Sequence, residues 1–388
     1  MTDPSFAQSA DTSSAAGHPR FRLRLDNDKL RGRVTDFCST DDYIVMTLDD
    51  GKIHVFGNGE KPKVLDSQSK AVWSAAVWGK TLVSGDREGD VRVWDLDSEQ
   101  QLHKLTGHTA TVRRIKISDA NTAISASRDG TLRIWNIAEG CCRHVLEGHT
   151  ASVRSLAFSG DLIVSGCDDE TARVWSITQG RCLHLLQGHQ EGIFVVAFDG
   201  KHIATGSIDK SIRIWSPETG ECMAVLRAHK ALVSRLELQD GVLTSAAADG
   251  TISTSSLKGL ELSSSPNYTI SGHGNSITSL QVKDGRIYSG GSDGLVKVWN
   301  AQDGTLVAQI GQKVEAVYNV LSRDDEVIVA VARDGHCLIE VSAPIAIYEP
   351  QLIATNTHHL HKLDPGYFSR EAFINYPARQ VFYYTSPN

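Results

Sequence analysis

The chain has no long apolar run, no surplus of positive charge and no ordered set of cysteines, and each gap closes off a class of function. Its longest hydrophobic stretches, such as Val327 to Ala332, are strand-sized, far short of the roughly 20 residues needed to cross a bilayer as a helix. With Lys+Arg 39 against Asp+Glu 46 the net charge is -7, which argues against salt-driven nucleic-acid binding over an extended basic surface. A local basic patch on an acidic body is still compatible with that balance. The seven cysteines (Cys38, Cys141, Cys142, Cys167, Cys182, Cys222, Cys337) show neither metal-ligand spacing nor a framework pattern, so they read as ordinary thiols of a reducing compartment. The first residues, MTDPSFAQSADTSSAAGH, place Asp3 and Asp11 where a secretory signal would be basic and contain no apolar segment, so no signal peptide is expected. A cytoplasmic and/or nuclear protein follows, with neither nucleic acid nor membrane as partner. There is also no phosphate-cradling glycine loop, nucleophile elbow or Cys/His zinc spacing.

What is present is a period. The segments RDGTLRIW (Arg128 to Trp135), DDETARVW (Asp168 to Trp175), IDKSIRIW (Ile208 to Trp215) and SDGLVKVW (Ser292 to Trp299) each place an acid six residues before the tryptophan. The same rule exposes weaker copies at Asp50 with Phe56, Glu88 with Trp94, Asp249 with Ser255 and Asp334 with Glu340, so the count is eight. Successive turn acids lie 38, 41, 40, 40, 40, 44 and 41 residues apart, leaving no room for an inserted domain. Self-similarity of about 40 residues means a solenoid, an array or a propeller. Within one unit, Val153 to Phe158, Leu162 to Ser165, Thr171 to Trp175 and Cys182 to Leu186 alternate β-branched runs with turn residues. Four short antiparallel strands per repeat make a propeller blade, and eight blades make one closed all-β body.

Three segments are predicted: a polar, disordered stretch 1–19, the propeller 20–341, and a tail 342–388 that belongs to no repeat. Phe21 to Leu25 (FRLRL) is the expected N-terminal strand closing the last blade. His358, His359 and His361 in the tail have no fixed geometry and are read as solvated rather than as a metal site.

The repeated residues resemble the WD-repeat family over roughly residues 20 to 341. In that family a His, a Ser or Thr, the turn Asp and the Trp form a hydrogen-bonded tetrad that satisfies the buried indole. The matching sets are His108, Ser125, Asp129 and Trp135; His149, Ser165, Asp169 and Trp175; His189, Thr205, Asp209 and Trp215; and His273, Ser289, Asp293 and Trp299. Blade six keeps His229, Ser245 and Asp249 but has Ser255 in place of Trp, and is expected to be the softest. The recurrence of His, Asp and Ser is therefore structural: a catalytic triad is needed once, a fold-stabilising tetrad in every blade. No catalytic residue, cofactor or metal is expected, and the chain is not read as an enzyme.

Function is sought where matching units differ. One variable position, five after the Gly-His histidine, reads Thr35, Trp73, Arg113, Arg154, Phe194, Ser234, Thr278 and Tyr318; the other, just before the turn acid, reads Asp49, Arg87, Arg128, Asp168, Ile208, Ala248, Ser292 and Arg333. Five of these 16 are Arg and none is Lys, and four of the five fall on blades two to four. Facing strands and blades are close enough for Arg113, Arg128 and Arg154 to reach one point. Convergent arginines make an anion site suited to planar, bidentate recognition of phosphate or carboxylate; an ordinary rim of surface ion pairs is the other reading.

GHTATVRRI (Gly107 to Ile115), SASRDGTLRIW (Ser125 to Trp135) and GHTASVRSLAF (Gly148 to Phe158) are similar to the propellers of F-box/WD-repeat substrate receptors of SCF-type ubiquitin ligases. The resemblance implies that Arg113, Arg128 and Arg154 hold the phosphothreonine of a Thr-Pro degron, with Thr111 and Trp73 as further peptide contacts. Arg87, Phe194 and Arg333 complete the expected phosphopeptide surface. Phosphorylated proteins are the implied partners, and the Skp adaptor and cullin only if an F-box is supplied elsewhere, since none is visible. A scaffold that grips unmodified partners is the alternative.

Overall fold

A computed structural model describes residues 32–57, 61–258, 266–323 and 326–342. Those residues form 31 strands and no helix. They make eight antiparallel sheets in chain order, seven of four strands and one of three. Blade four is typical: Val153–Ser159 innermost, then Leu162–Cys167, Ala172–Ser176 and Arg181–Leu186. The remaining blades span 34–66, 72–105, 112–146, 193–226, 233–271, 277–310 and 316–342. The expected closing strand at Phe21 to Leu25, the N-terminal stretch and the tail beyond residue 342 lie outside the described residues.

Burial explains the sequence texture. The second strands are buried along all or nearly all of their length, Thr122–Ser127 completely, because a neighbouring blade covers each face, and they read as continuous runs rather than alternating ones. The outermost strands alternate instead: Cys141–Leu146 points every second residue into water. Eight buried clusters result, one per blade–blade interface. Trp175 packs with Ile124, Ala126 and Leu132 of blade three, and Trp215 with Val164 and Val174 of blade four, so these tryptophans seal against the blade before. The ring closes in the same way, with Phe37, Ile44, Met46 and Phe56 of blade one against Ile328, Ala330 and Ile339 of blade eight.

The tetrads form as the spacing implies. Trp175 Nε1 can only donate, and it donates to Ser165 Oγ at 2.8 Å. The hydroxyl then gives its own hydrogen to His149 Nε2 at 2.8 Å, which leaves the ring proton on Nδ1, directed at Asp169 Oδ2 at 2.8 Å. Blades three, five and seven repeat the chain. In blade six, with no indole, His229 Nδ1 turns to Thr251 Oγ1 at 2.7 Å and stands 3.9 Å from Asp249. The buried hydroxyl of Ser253 there has no partner. Blade two replaces the His with a buried ion pair that sequence reasoning missed: Arg92 reaches Asp86, which also accepts the N–H groups of Glu88, Gly89 and Asp90.

Candidate functional site

In every blade the innermost strand carries one β-bulge near its start, and the skipped residue is the first variable position. The register steps over Thr35, Trp73, Arg113 and Arg154 in blades one to four. It steps over Phe194, Ser234, Thr278 and Tyr318 in blades five to eight. A bulge leaves its residue outside the ladder and re-aims the side chain. The second variable position is tied to the same end of the blade. The N–H groups of Asp49, Arg87, Arg128, Asp168, Ile208, Ala248 and Ser292 each donate to the carbonyl two residues before the bulge, as Arg128 does to Thr111 at 2.9 Å.

Blade eight departs from this rule. Its strand runs on through Arg333, which pairs with His336 across a two-residue turn. Asp334 and Gly335 in that turn take φ of 51° and 73°, the left-handed geometry of a tight hairpin. Arg333 then forms an ion pair with Glu340 at 2.6 Å, so its charge is neutralised within its own blade and it does not join the other arginines.

Blades two to four carry the platform. Arg87 and Arg128 are exposed, Arg113 and Arg154 half-buried. Among the described residues the side chains of Arg87, Arg113 and Arg128 make no ion pair, and Arg113 Nε is buried without a hydrogen-bond partner. Burial first, and then repulsion from Arg128 and Arg154, pushes the Arg113 guanidinium down to about 10, with Asp168 opposing. Arg128 and Arg154 thus lie near enough to Arg113 for their charges to act on it. Arg154 differs, because its Nε bonds Asp168 while its guanidinium lies over the Phe194 ring at 5.5 Å. Phe194 is thereby placed beside the cations, and Trp73 stands exposed at the bulge of blade two.

Thr111 is buried rather than open to a ligand. Its hydroxyl donates to the Arg87 carbonyl at 3.1 Å and its own carbonyl accepts the Arg128 N–H. It therefore holds the turns of blades two and three together and positions both arginines, which the sequence resemblance had cast as a peptide contact.

A metal has a weak case. His149, Cys167 and Asp169 bring ligand atoms within 4.8 Å of one another, but the first and last are each other's tetrad partners. Burial pushes the Cys167 thiol up to about 12, which keeps it protonated and a poor ligand. His358, His359 and His361 lie outside the described residues.

Eight blades, four of them locked by complete tetrads, and a variable, cation-rich rim define a repeat propeller built for protein interaction. Five segments, 59–95, 99–136, 140–176, 180–216 and 264–300, match the family model described as WD domain, G-beta repeat. The chain is a WD40-repeat propeller protein. It is 32% identical over 90 residues to WD repeat-containing protein pop1 of Schizosaccharomyces pombe and 33% identical over 95 residues to Cell division control protein 4 of Saccharomyces cerevisiae. Each match covers 23% of this chain and only 12% of the relative's length. The crystal structure of the computationally designed Ika8 protein superposes with a TM-score of 0.72 at 28% identity, over 81% of this chain and 99% of that one.

Proposed function

We propose that the platform on blades two to four binds phosphorylated Thr-Pro or Ser-Pro peptides, and that the chain serves as the substrate-recognition part of an SCF-type ubiquitin ligase. The observation that carries this reading is the unpaired state of Arg87, Arg113 and Arg128 beside Arg154. Neighbouring unpaired guanidiniums attract a counter-charge, and a phosphate monoester supplies about -1.5 to -2 of charge and three acceptor oxygens. Bonds to charged groups contribute roughly 1.5 to 3 kcal/mol each, so three arginines account for most of the roughly 8 kcal/mol of a micromolar complex. Phe194 and Trp73 offer apolar surface for the proline and its neighbours. The site binds and does not turn over, and the protein acts in the cytoplasm or nucleus on phosphorylated partners.

Titration of a labelled phospho-Thr-Pro peptide tests this, with its unphosphorylated form and an Arg113→Ala/Arg128→Ala variant as controls. Equal affinity in all three titrations refutes the reading. Capture of the Skp adaptor together with phosphoproteins supports the ligase role. The neutralised Arg333 and the exposed Trp73 favour a second reading, a scaffold for unmodified partners, for which phosphatase-insensitive capture is the signature.

A further inference from the structure

Beneath the bulge residues the inner strands turn a second row of side chains into the channel, and two of them are arginines from nearly opposite blades. Arg114 of blade three and Arg235 of blade six line one cavity of about 360 Å³ at the channel mouth. Each guanidinium makes one bond to the preceding main-chain carbonyl, Arg114 to Arg113 O at 3.0 Å and Arg235 to Ser234 O at 2.8 Å. Neither is ion-paired among the described residues. A guanidinium has five N–H donors, so most of this donor capacity is unused.

The carboxylate and the amide that share the cavity are already engaged. Asp36 takes the Ser74 hydroxyl at 2.8 Å, the Ala75 N–H at 3.2 Å and the Phe37 N–H at 3.0 Å. Asn319 Oδ1 takes the Ser279 hydroxyl and the Val320 N–H, while its amide donates to Phe37 O. The next row adds Lys116 and Glu237, and burial pushes the Glu237 carboxyl up to about 7, which weakens the negative charge that, with Asp36, acts on Arg235 among the described residues. The wall therefore presents surplus donors and surplus positive charge in a space that holds roughly ten water volumes.

We propose that this cavity is an oxyanion site, in which Arg114 and Arg235 clamp a phosphate or carboxylate from two sides of the channel. It adjoins the platform and shares Phe194 with it, but its two cations, Arg114 and Arg235, belong to the row below Arg113, and the proposal holds whether or not the platform binds phosphopeptides. The oxyanion has two sources of the same chemistry, a free phosphate ion or an acidic side chain of a peptide lying across the mouth.

The test uses the full chain with inorganic phosphate, read by 31P NMR line broadening at constant ionic strength. Arg128→Ala, which disables the platform, is the background for every clamp variant in the phosphate titrations so that phosphate held by the platform is not counted; in it Arg114→Gln and Arg235→Gln remove the clamp, and Arg235→Lys keeps the charge without the fork. Tryptophan fluorescence checks that each variant is folded. Saturable binding in wild type and in Arg128→Ala, weakened at least ~10-fold in either Gln variant and partly kept by Arg235→Lys, supports the site with a free ion. Where phosphate itself does not bind, a phospho-Thr-Pro peptide with a flanking glutamate that loses at least ~10-fold on Arg235→Gln, while its alanine counterpart loses nothing, supports the side-chain source. Phosphate binding that survives both Gln variants, binding lost in Arg128→Ala instead, or indifference of every probe to Arg114 and Arg235 overturns the proposal.

Discussion

Asp168 occupies the one platform arginine that has a partner, and replacing it with asparagine is expected to tighten phosphopeptide binding. Its carboxylate holds Arg154 Nε, and both side chains are 28% exposed. A bound phosphate must compete with that carboxylate for Arg154 and is repelled by it. Two unit charges about 4 Å apart interact by roughly 4 kcal/mol at the effective dielectric of a protein surface and roughly 1 kcal/mol in bulk water. With more than a quarter of each group in solvent, the lower part of that range applies, and an ion pair of this kind itself contributes only about 0 to 1 kcal/mol. Asp168→Asn keeps the shape and loses the charge, so the expected gain is about 1 to 2 kcal/mol, or roughly 5- to 30-fold in Kd. Fluorescence polarisation with a labelled phospho-Thr-Pro peptide reads it directly, and the unphosphorylated peptide should show no gain. An unchanged or weaker affinity would refute the reasoning and make Asp168 a residue that positions Arg154 for its ligand.

Three further outcomes follow from the fold. Ser165→Ala strands both the Trp175 indole and the His149 ring in a buried site, and is expected to cost about 2 to 4 kcal/mol. Ser245→Ala in blade six loses the histidine bond and a long one to the Ser253 carbonyl but strands no indole, and should cost about half as much, so equal shifts in the urea midpoint would contradict the tetrad account. The pH dependence follows from buried groups: burial lowers His189, His229 and His273. Asp129, Asp169 and Asp209 are lowered too, burial opposing and the histidine, hydroxyl and backbone N–H bonds prevailing. Depressed folded values mean that the unfolded chain binds more protons. Stability is therefore full above the ordinary histidine value of about 6.5 and is lost as pH falls, through the histidines first and the aspartates below about 4. Glu237, raised to about 7, is the one carboxylate among the described residues that works the other way; a stability maximum near pH 5 in denaturant titrations would sink this assignment. Finally, amides of blade six, where His229 has lost its indole and its close aspartate, should exchange at least ~10-fold faster than those of blades three to five, as read by hydrogen exchange with mass spectrometry.

The period made the blade count, the tetrads and the eight bulge positions legible, because a side chain that must repeat for the ring to close stands out against its neighbours. What escaped depends on where side chains turn. Arg154 and Asp168 occupy variable positions that were both legible, yet their union is a matter of rotamers, and it changes Arg154 from a free cation to a shared one. Arg333 satisfied the spacing rule, but the tight Asp334-Gly335 turn lengthened its strand and delivered it to Glu340. Arg92 and Asp86 were hidden because blade two solves the missing histidine with charge, and no copy elsewhere in the chain shows that solution. Arg114 and Arg235 sit one residue past the variable position, where a strand interior conceals which way a residue faces after a bulge.

The eight bulges also separate two kinds of heredity in one short sequence. A bulged residue takes no part in the ladder and touches no tetrad, so exchanging Trp73 for Arg113 or Phe194 asks little of the blade that carries it, while Thr35, Ser234 and Thr278 spend the same position on a bond to the next blade. Selection can rewrite the recognition surface one blade at a time while the ring beneath stays fixed, and duplicating a blade copies the socket without obliging it to keep the same letter.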